Sequence, residues 1–237
     1  MYLQNVAMTF NWESSGPGHF WSLAVEEHFY LFWPFVIYFF DKTKIKVLIV
    51  LIILLAFITR FYLIKNNYDV FYFTFSRMDE LAIGALLAIL EIEGKLQLKN
   101  SNKFLLLFGL IITPTIALWT FTTGLGIDAI QISKFILLSF CYFSIIGLVL
   151  TLKETNWLKK ILKLDVLSYT GKISYGLYVY HPLCFYFFNT YIKLNSVIIS
   201  FVLSFAFAYA VAGLSYYLYE SKFIFLKRKF EYHKITE

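Results

Sequence analysis

The feature that most constrains the fold is a series of seven apolar stretches, each close to the length of a membrane-crossing helix. A helix needs about 20 apolar residues to cross the hydrocarbon layer. The 237-residue chain is 59% hydrophobic and 15% charged, with a mean hydropathy of +0.68. We therefore predict an all-α polytopic membrane protein, a bundle of about seven transmembrane helices in one membrane-embedded domain over residues 1–237. The expected spans are 20–40, 45–64, 71–90, 104–121, 133–152, 171–190 and 196–219.

The loops between these stretches alternate in charge. Sixteen Lys and Arg fall in segments 41–46, 91–103, 153–172 and 220–237, against four in 1–19, 59–70, 122–134 and 191–195. Positive loops remain on the cytoplasmic side. The pattern predicts an external amino terminus and a cytoplasmic carboxy terminus. No cleavable signal peptide is expected, because the first nineteen residues contain no Lys or Arg.

Composition also excludes several functions. The net charge of +6 does not predict a nucleic-acid-binding surface, because the cations are spread over short loops instead of clustering on one face. A retinal protein needs a lysine in its last helix, and residues 196–219 contain none. Two scattered cysteines, Cys141 and Cys184, indicate neither a disulfide framework nor a metal site. We expect no metal and no resident cofactor.

Ionisable residues inside the spans are the best candidates for a functional site. A charge at the bilayer centre costs about 2.5–3.5 kcal/mol, so such residues face a protein interior or a water-filled cavity. At a rise of 1.5 Å per residue, Glu26 and Glu27 are expected roughly 9–11 Å below the external surface, and Arg77–Glu80 roughly 9–14 Å. His181, in a span that runs outward, is expected at roughly 14 Å.

The shared depth predicts a polar cluster between neighbouring helices. We expect Arg77 to pair with Glu26 or Glu27. Helical spacing places Ser22, Glu26 and Tyr30 together on one face of the first span. His19 is expected at the mouth of the same cavity. An alternative is that these charges form only a packing network between helices.

Four strings resemble, in order, the signature segments of the bacterial membrane acyltransferase-3 family, whose members O-acylate surface glycans. They are HFWSLAVEEHFYLFWP (19–34), SRMDELAIGALLA (76–88), GKISYGLYVYHPL (171–183) and YLYESKFIFLKRK (217–229). The resemblance implies a multi-pass protein of the bacterial plasma membrane. It also implies an acyl-CoA donor, typically acetyl-CoA, and an external sugar hydroxyl as acceptor. The protein is expected to be surrounded by the lipid bilayer, and its oligomeric state is left open.

The resemblance also assigns roles to residues. Taken with the depth argument, it makes Glu26, Glu27, Arg77 and His181 the candidate catalytic residues, and His19, Ser22, Tyr30, Asp79, Ser174 and Tyr175 the candidate substrate-binding residues. Two departures from the family pattern stand out. The family usually has glutamine where this chain has His28. The family's upstream arginine and histidine, separated by ten residues, have no counterpart here.

The second departure leads to the expectation that the chain corresponds to the carboxy-terminal part of such an enzyme and has little activity alone. His181 or His19 would have to replace the missing histidine. Two other classes remain open on the residues alone. A proton-coupled transporter would use the same acids as a relay, and a non-catalytic remnant or subunit would insert into the membrane without activity.

Overall fold

The computed structural model describes residues 2–13, 17–120, 127–192 and 196–228, except for the side chains of 119, 127–129, 227 and 228. The described residues form helices and connecting turns, with no strand among them. The α-helices are α1 (Gln4–Thr9), α2 (Trp21–Phe39), α3 (Lys42–Lys65), α4 (Met78–Ile92), α5 (Ser101–Thr120), α6 (Ile127–Thr151), α7 (Trp157–Leu162), α8 (Asp165–Lys172), α9 (Ser174–Phe187), α10 (Val197–Ser215) and α11 (Ser221–Arg228).

The chain divides into two compact units, Met1–Asn156 and Trp157–Glu237. The expectation of a single domain stays a prediction. Four helical segments of the described chain are long and apolar enough to cross a membrane. They are Lys42–Lys65, Leu98–Leu118, Ile130–Thr151 and Val197–Leu226. The all-helical membrane class is therefore confirmed, while the count of seven spans and the orientation stay predictions.

In the first unit, α4 packs against α2, α3 and α6, and α5 packs along α6. The apolar core between α4, α5 and α6 includes the buried side chains of Ile83, Leu87, Phe104 and Phe143. The contact between α5 and α6 depends on a small residue, because a Cβ atom on Gly147 would overlap the ring of Phe104. This packing holds α4 in the middle of the unit, where it presents polar residues to both α3 and α6.

The third predicted span, 71–90, differs most from the observed helix. Residues 71–77 form turns, with a 3₁₀ turn over Thr74–Ser76, and α4 begins only at Met78. The hydroxyl of Ser76 donates to the carbonyls of Val70 (2.6 Å) and Phe73 (2.7 Å), which stabilises the turns. The helix assumed from residue 71 is therefore wrong, and the depth of Arg77–Glu80 that was derived from it stays a prediction. These residues lie at the beginning of a 15-residue helix.

The sixth predicted span, 171–190, is also interrupted. Ile173 separates α8 from α9, and a π-helical turn over Phe188–Ile192 follows α9. The other spans agree within a few residues with α2, α3, α5, α6 and α10, apart from the earlier start of α6 at Ile127. Residue 121, the predicted end of the fourth span, lies outside the described residues.

Charged residues connect the beginning of α3 with the end of α4, far from Arg77. Asp41 precedes α3 and accepts a hydrogen bond from the Lys44 backbone N–H at 2.9 Å. Glu93, just after α4, forms ion pairs with Lys46 of α3 and with Lys95, the latter at 2.7 Å. Hydrogen bonds from these two lysines lower the pKa of Glu93 to about 2. The pairs fix the ends of α3 and α4 against each other.

Candidate active site

Arg60 and Asp79 form a completely buried ion pair between α3 and α4. The Nη2 atom of Arg60 lies 2.6 Å and 2.7 Å from the two carboxylate oxygens of Asp79, and both side chains are 0% exposed. Nε and Nη2 of Arg60 also donate to the carbonyl of Ser76 at 2.9 Å and 2.7 Å. A further bond from Nη1 reaches the carbonyl of Ile132 at 3.3 Å. Arg60 therefore connects α3, α4 and α6, and it contacts both carboxylate oxygens of Asp79.

Arg77 and Glu80 form a second pair, which is partly open. The Nη2 atom of Arg77 lies 3.1 Å from Glu80 Oε2, and the side chains are 16% and 30% exposed. The guanidinium of Arg77 lies against aromatic rings, 4.2 Å from the Phe135 ring centroid, 5.1 Å from that of Phe71 and 5.6 Å from that of Trp21. Aromatic faces attract cations, so the rings orient the guanidinium of a side chain that remains 16% exposed.

A cavity of about 460 Å³ lies between α4 and α6 and includes the Arg77–Glu80 pair in its wall. Lys134 and Ser139 of α6 add further polar groups. The rest of the lining is apolar or aromatic: Phe71, Ile83, Gly84, Leu87, Phe135, Leu138, Tyr142, Phe143 and Ile146. A mostly apolar pocket with a few convergent polar groups is the usual form of a small-molecule site.

The predicted pairing of Arg77 with Glu26 or Glu27 is wrong. Arg77 pairs with Glu80 on its own helix, and neither glutamate of α2 lies within 4 Å of it in an ion pair. The prediction failed because a shared depth does not show which acid faces a given cation. The prediction of Asp79 as a substrate-binding residue stays untested, although Arg60 occupies both of its carboxylate oxygens.

Glu26 is half-buried on α2, whereas Glu27 and Tyr30 are exposed. Because α2 is continuous from Trp21 to Phe39, Ser22, Glu26 and Tyr30 lie along one face at spacings of four, as predicted. Exposure varies along that face: Ser22 and Glu26 are half-buried and Tyr30 is 55% exposed, while Glu27 lies on an exposed side of the helix. Within a membrane, a carboxylate on that side requires water or protein around it instead of lipid tails.

A polar network that the sequence did not predict connects α1, α2 and the turn before α4. The side-chain amide of Asn5 donates to Thr74 Oγ1 at 2.7 Å, and Nδ1 of His28 lies 2.7 Å from the same oxygen. Asn5 is 0% exposed, and its Oδ1 has no hydrogen-bond partner in the structure. His28, the residue that departs from the family pattern, is thus oriented by Thr74. His19 lies nearby in sequence, in a 3₁₀ turn over Gly18–Phe20, with its ring against Phe20.

The remaining predicted residues belong to the second unit. Ser174 and Tyr175, in the first turn of α9, are exposed, and the Ser174 hydroxyl donates to the Gly171 carbonyl at 2.9 Å. His181, also exposed, has its Nδ1 at 3.0 Å and 2.9 Å from the carbonyls of Leu177 and Tyr178. The meeting of His181 with Glu26 or Arg77 stays a prediction.

The second unit also contains a polar contact that sequence reasoning left without a role. The Ser215 hydroxyl donates to Glu220 Oε1 at 2.8 Å, next to the π-helical turn Tyr216–Glu220. A Cβ atom on Gly176 would lie 3.0 Å from the same carboxylate oxygen and 3.2 Å from Ala212 Cα, so α9 and α10 approach closely there. π-helical turns are frequent at functional sites, which makes Glu220 a candidate for the substrate-binding surface.

Three residues of the first unit were missed as site residues: Arg60, Thr74 and Lys134. For Arg60 a usable signal existed, since an arginine near the end of an apolar helix needs a partner. No comparable signal marked Thr74. Among the described residues, no group of three or more His, Cys, Asp or Glu side chains is arranged to hold a metal ion.

Comparison with known proteins identifies the family of the chain. The profile of the family described as "Acyltransferase domain", the acyltransferase-3 family, matches residues 1–217. The O-acetyltransferases OatA of Staphylococcus aureus strains NCTC 8325 and COL are each 31% identical to the chain over 183 residues. The match covers 73% of this chain and 30% of each relative, so the chain spans less than a third of their length. No solved structure matches the chain significantly. On the family match, this chain belongs to the acyltransferase-3 family.

Proposed function

We propose that the chain acts within a multi-pass membrane O-acyltransferase of the bacterial plasma membrane, which transfers an acetyl group from acetyl-CoA to a hydroxyl of a cell-surface polysaccharide. The observation that carries the proposal is the cavity between α4 and α6, with the Arg77–Glu80 pair in its wall. The acetyl group follows the name of the relatives, O-acetyltransferase. The glycan acceptor follows the family resemblance. The lipid bilayer surrounds the seven proposed spans, with the amino terminus external.

The transfer needs three things from the protein. A base must take the proton of the attacking sugar hydroxyl, a positive group must stabilise the oxyanion that forms on the thioester carbonyl, and competing water must be excluded. The hydroxyl oxygen forms a bond to the acyl carbon, the carbon–sulfur bond breaks, and the proton ends on the departing CoA thiolate.

The chain's residues fit parts of this scheme. Arg77, whose side chain is 16% exposed and lines the cavity, can hold a phosphate or the developing oxyanion. Glu26 and Glu27 are assigned to orient the acceptor hydroxyl or a histidine, and Ser22, Tyr30, Ser174 and Tyr175 to contact substrate. The rings of Phe71 and Phe135 exclude water on one side of Arg77.

The proposal is tested in the native organism, by replacing the chromosomal gene with Arg77→Lys or Glu27→Gln variants. Arginine binds oxyanions with a planar fork that lysine lacks, so we expect base-releasable O-acyl groups on the surface glycan to fall to about a tenth or less. Lys99→Arg, at an exposed position, is the matched control and should keep wild-type levels. Protein abundance in the membrane is measured in parallel.

Unchanged O-acylation with normal abundance of Arg77→Lys and Glu27→Gln would contradict the proposal. If Glu26→Gln instead abolishes proton-dependent uptake into vesicles and leaves O-acylation intact, the chain is a transporter.

A further inference from the structure

Lys134 is a cation inside an apolar helix. Seven residues of α6 precede it, which places it about two turns from the start of that helix. It also falls within Ile130–Thr151, a segment apolar enough to cross a membrane. Its side chain is half-buried and lines the same cavity as Arg77 and Glu80. An ionisable residue at such a position marks a functional site unless another group neutralises it.

The neighbouring cations are paired with carboxylates, whereas Lys134 has no such partner among the described side chains. Arg60 is paired with Asp79 and Arg77 with Glu80. No ion pair to Lys134 occurs among the described side chains, and the contact found for its Nζ atom is the face of Phe135, 4.8 Å from the ring centroid. The cavity wall therefore contains one more positive charge than negative charge.

The position of Lys134 relative to Arg77 suits a shared ligand. Both cations contact the ring of Phe135, Arg77 at 4.2 Å and Lys134 at 4.8 Å from the centroid. Because both also line one cavity of about 460 Å³, an anionic ligand in that space can interact with both. The surrounding walls of Ile83, Leu87 and Phe143 lower the local dielectric, which strengthens the attraction.

We propose that Lys134 is a substrate-recognition residue that binds an oxyanion, a phosphate or a carboxylate, in this cavity together with Arg77. This inference rests on the proposed acyl transfer, which offers two sources for the oxyanion. One is a phosphate of the coenzyme A donor, and the other is an acidic group on the acceptor sugar. Lys134 supplies affinity for the charged group, and it does not contact the bond that breaks.

Binding of matched ligands to the purified protein in detergent tests the proposal. Coenzyme A is compared with pantetheine, which lacks its phosphates and its adenosine, and glucuronic acid with glucose, which lacks its carboxylate. In the protein with Lys134→Met, we expect the affinity for one charged ligand, coenzyme A or glucuronic acid, to fall about tenfold or more. Affinity for the uncharged partner should stay within twofold. The affected ligand identifies the source of the oxyanion.

Two further variants separate recognition from a structural role. Lys134→Arg keeps the charge and should retain most of the affinity, whereas Lys103→Met, at an exposed position of α5, should change nothing. Without ligand, Lys134→Met should melt at the same temperature as the wild type or higher, because it removes an uncompensated charge from apolar surroundings. A lower melting temperature, or affinities for both charged ligands within twofold of the wild type, would overturn the proposal.

These measurements require no transfer reaction. If Lys134→Met loses anion binding but the native glycan shows no dependence on Arg77, the site is correct and the proposed function is wrong. If O-acylation depends on Arg77 but Lys134→Met binds every ligand normally, the proposed function stands and this inference fails.

Discussion

Two arginine–carboxylate pairs lie next to each other at the beginning of α4, and they differ in almost every physical respect. The Arg60–Asp79 pair is 0% exposed, and Arg60 makes further bonds to two backbone carbonyls. The Arg77–Glu80 pair is 16% and 30% exposed and opens onto a cavity. Asp79 and Glu80 are adjacent in sequence, but the helix turns them toward different neighbours, α3 and the cavity between α4 and α6.

The difference in burial indicates that the two ion pairs of this short motif have different roles. A pair that is 0% exposed is closed to a substrate, so its contribution is to connect α3, α4 and α6. A partly exposed pair retains unused donors on the guanidinium and can exchange its carboxylate for a ligand. The burial of the Arg60–Asp79 pair fits a role in holding helices together, and the more open pair fits the substrate contact proposed for Arg77.

The largest expected effect comes from breaking the buried pair. Asp79→Asn leaves the Arg60 charge buried without its counter-ion, which costs about 3–5 kcal/mol. We expect loss of most folded protein, measured as the monodisperse fraction in size-exclusion chromatography and as the melting temperature in detergent. Glu91→Gln, on the exposed side of the same helix, is the matched control and should behave as wild type.

A double variant sharpens this result. Arg60→Met with Asp79→Leu removes both charges, so part of the lost stability should return. Recovery should be incomplete, since the Ser76 carbonyl then loses its donors, at about 1–3 kcal/mol. A double variant no more stable than Asp79→Asn would show that the ion pair is not the source of the effect.

The second prediction concerns the neighbouring carboxylate, with the same chemical change. Glu80→Gln should alter the unfolding free energy by about 1 kcal/mol or less, because a partly exposed pair contributes little. O-acylation of the native glycan should nevertheless fall about tenfold or more if Glu80 sets the position of the Arg77 guanidinium. Equal stability losses for Asp79→Asn and Glu80→Gln would remove the distinction between the two pairs.

The helical class and most helix bounds were predictable because they depend on local hydropathy. The clearest exception is 71–77, where an aromatic-rich run looks like part of a span but forms turns held by the Ser76 hydroxyl. Hydropathy cannot detect this, since the residues are equally apolar in a helix and in a turn. The resemblance to the acyltransferase-3 family was confirmed, because its motifs are contiguous strings.

The pairing of side chains was not predictable in the same way. Arg60 and Asp79 are 19 residues apart, and their contact depends on α3 and α4 packing side by side. Lys134 was counted with the loop segment 122–134, at the boundary of the fifth span expected from 133, whereas α6 begins at Ile127. A shift of one or two helical turns therefore changes a loop lysine into a cavity lysine.

The smallest effect is expected at a third pair, Glu93 with Lys46 and Lys95, which lies beyond the end of α4. The two lysines lower the pKa of Glu93 to about 2 from an ordinary value of 4.5. A depressed pKa in the folded state contributes stability above pH 4.5, and this stability is lost as the pH falls toward 2. Relative to Glu93→Gln, the wild type should melt at a higher temperature at pH 6, with the difference shrinking below pH 4.5.

Only the difference between the two proteins is informative, because other carboxylates titrate in both. Glu91→Gln, which removes a carboxylate two residues earlier where no ion pair is formed among the described side chains, should give a constant difference from the wild type over the same range. A constant difference for Glu93→Gln as well would mean that the lysines do not hold Glu93 ionised. The expected order of effects among the three ion pairs, which follows their burial, would then be wrong for the Glu93 pair.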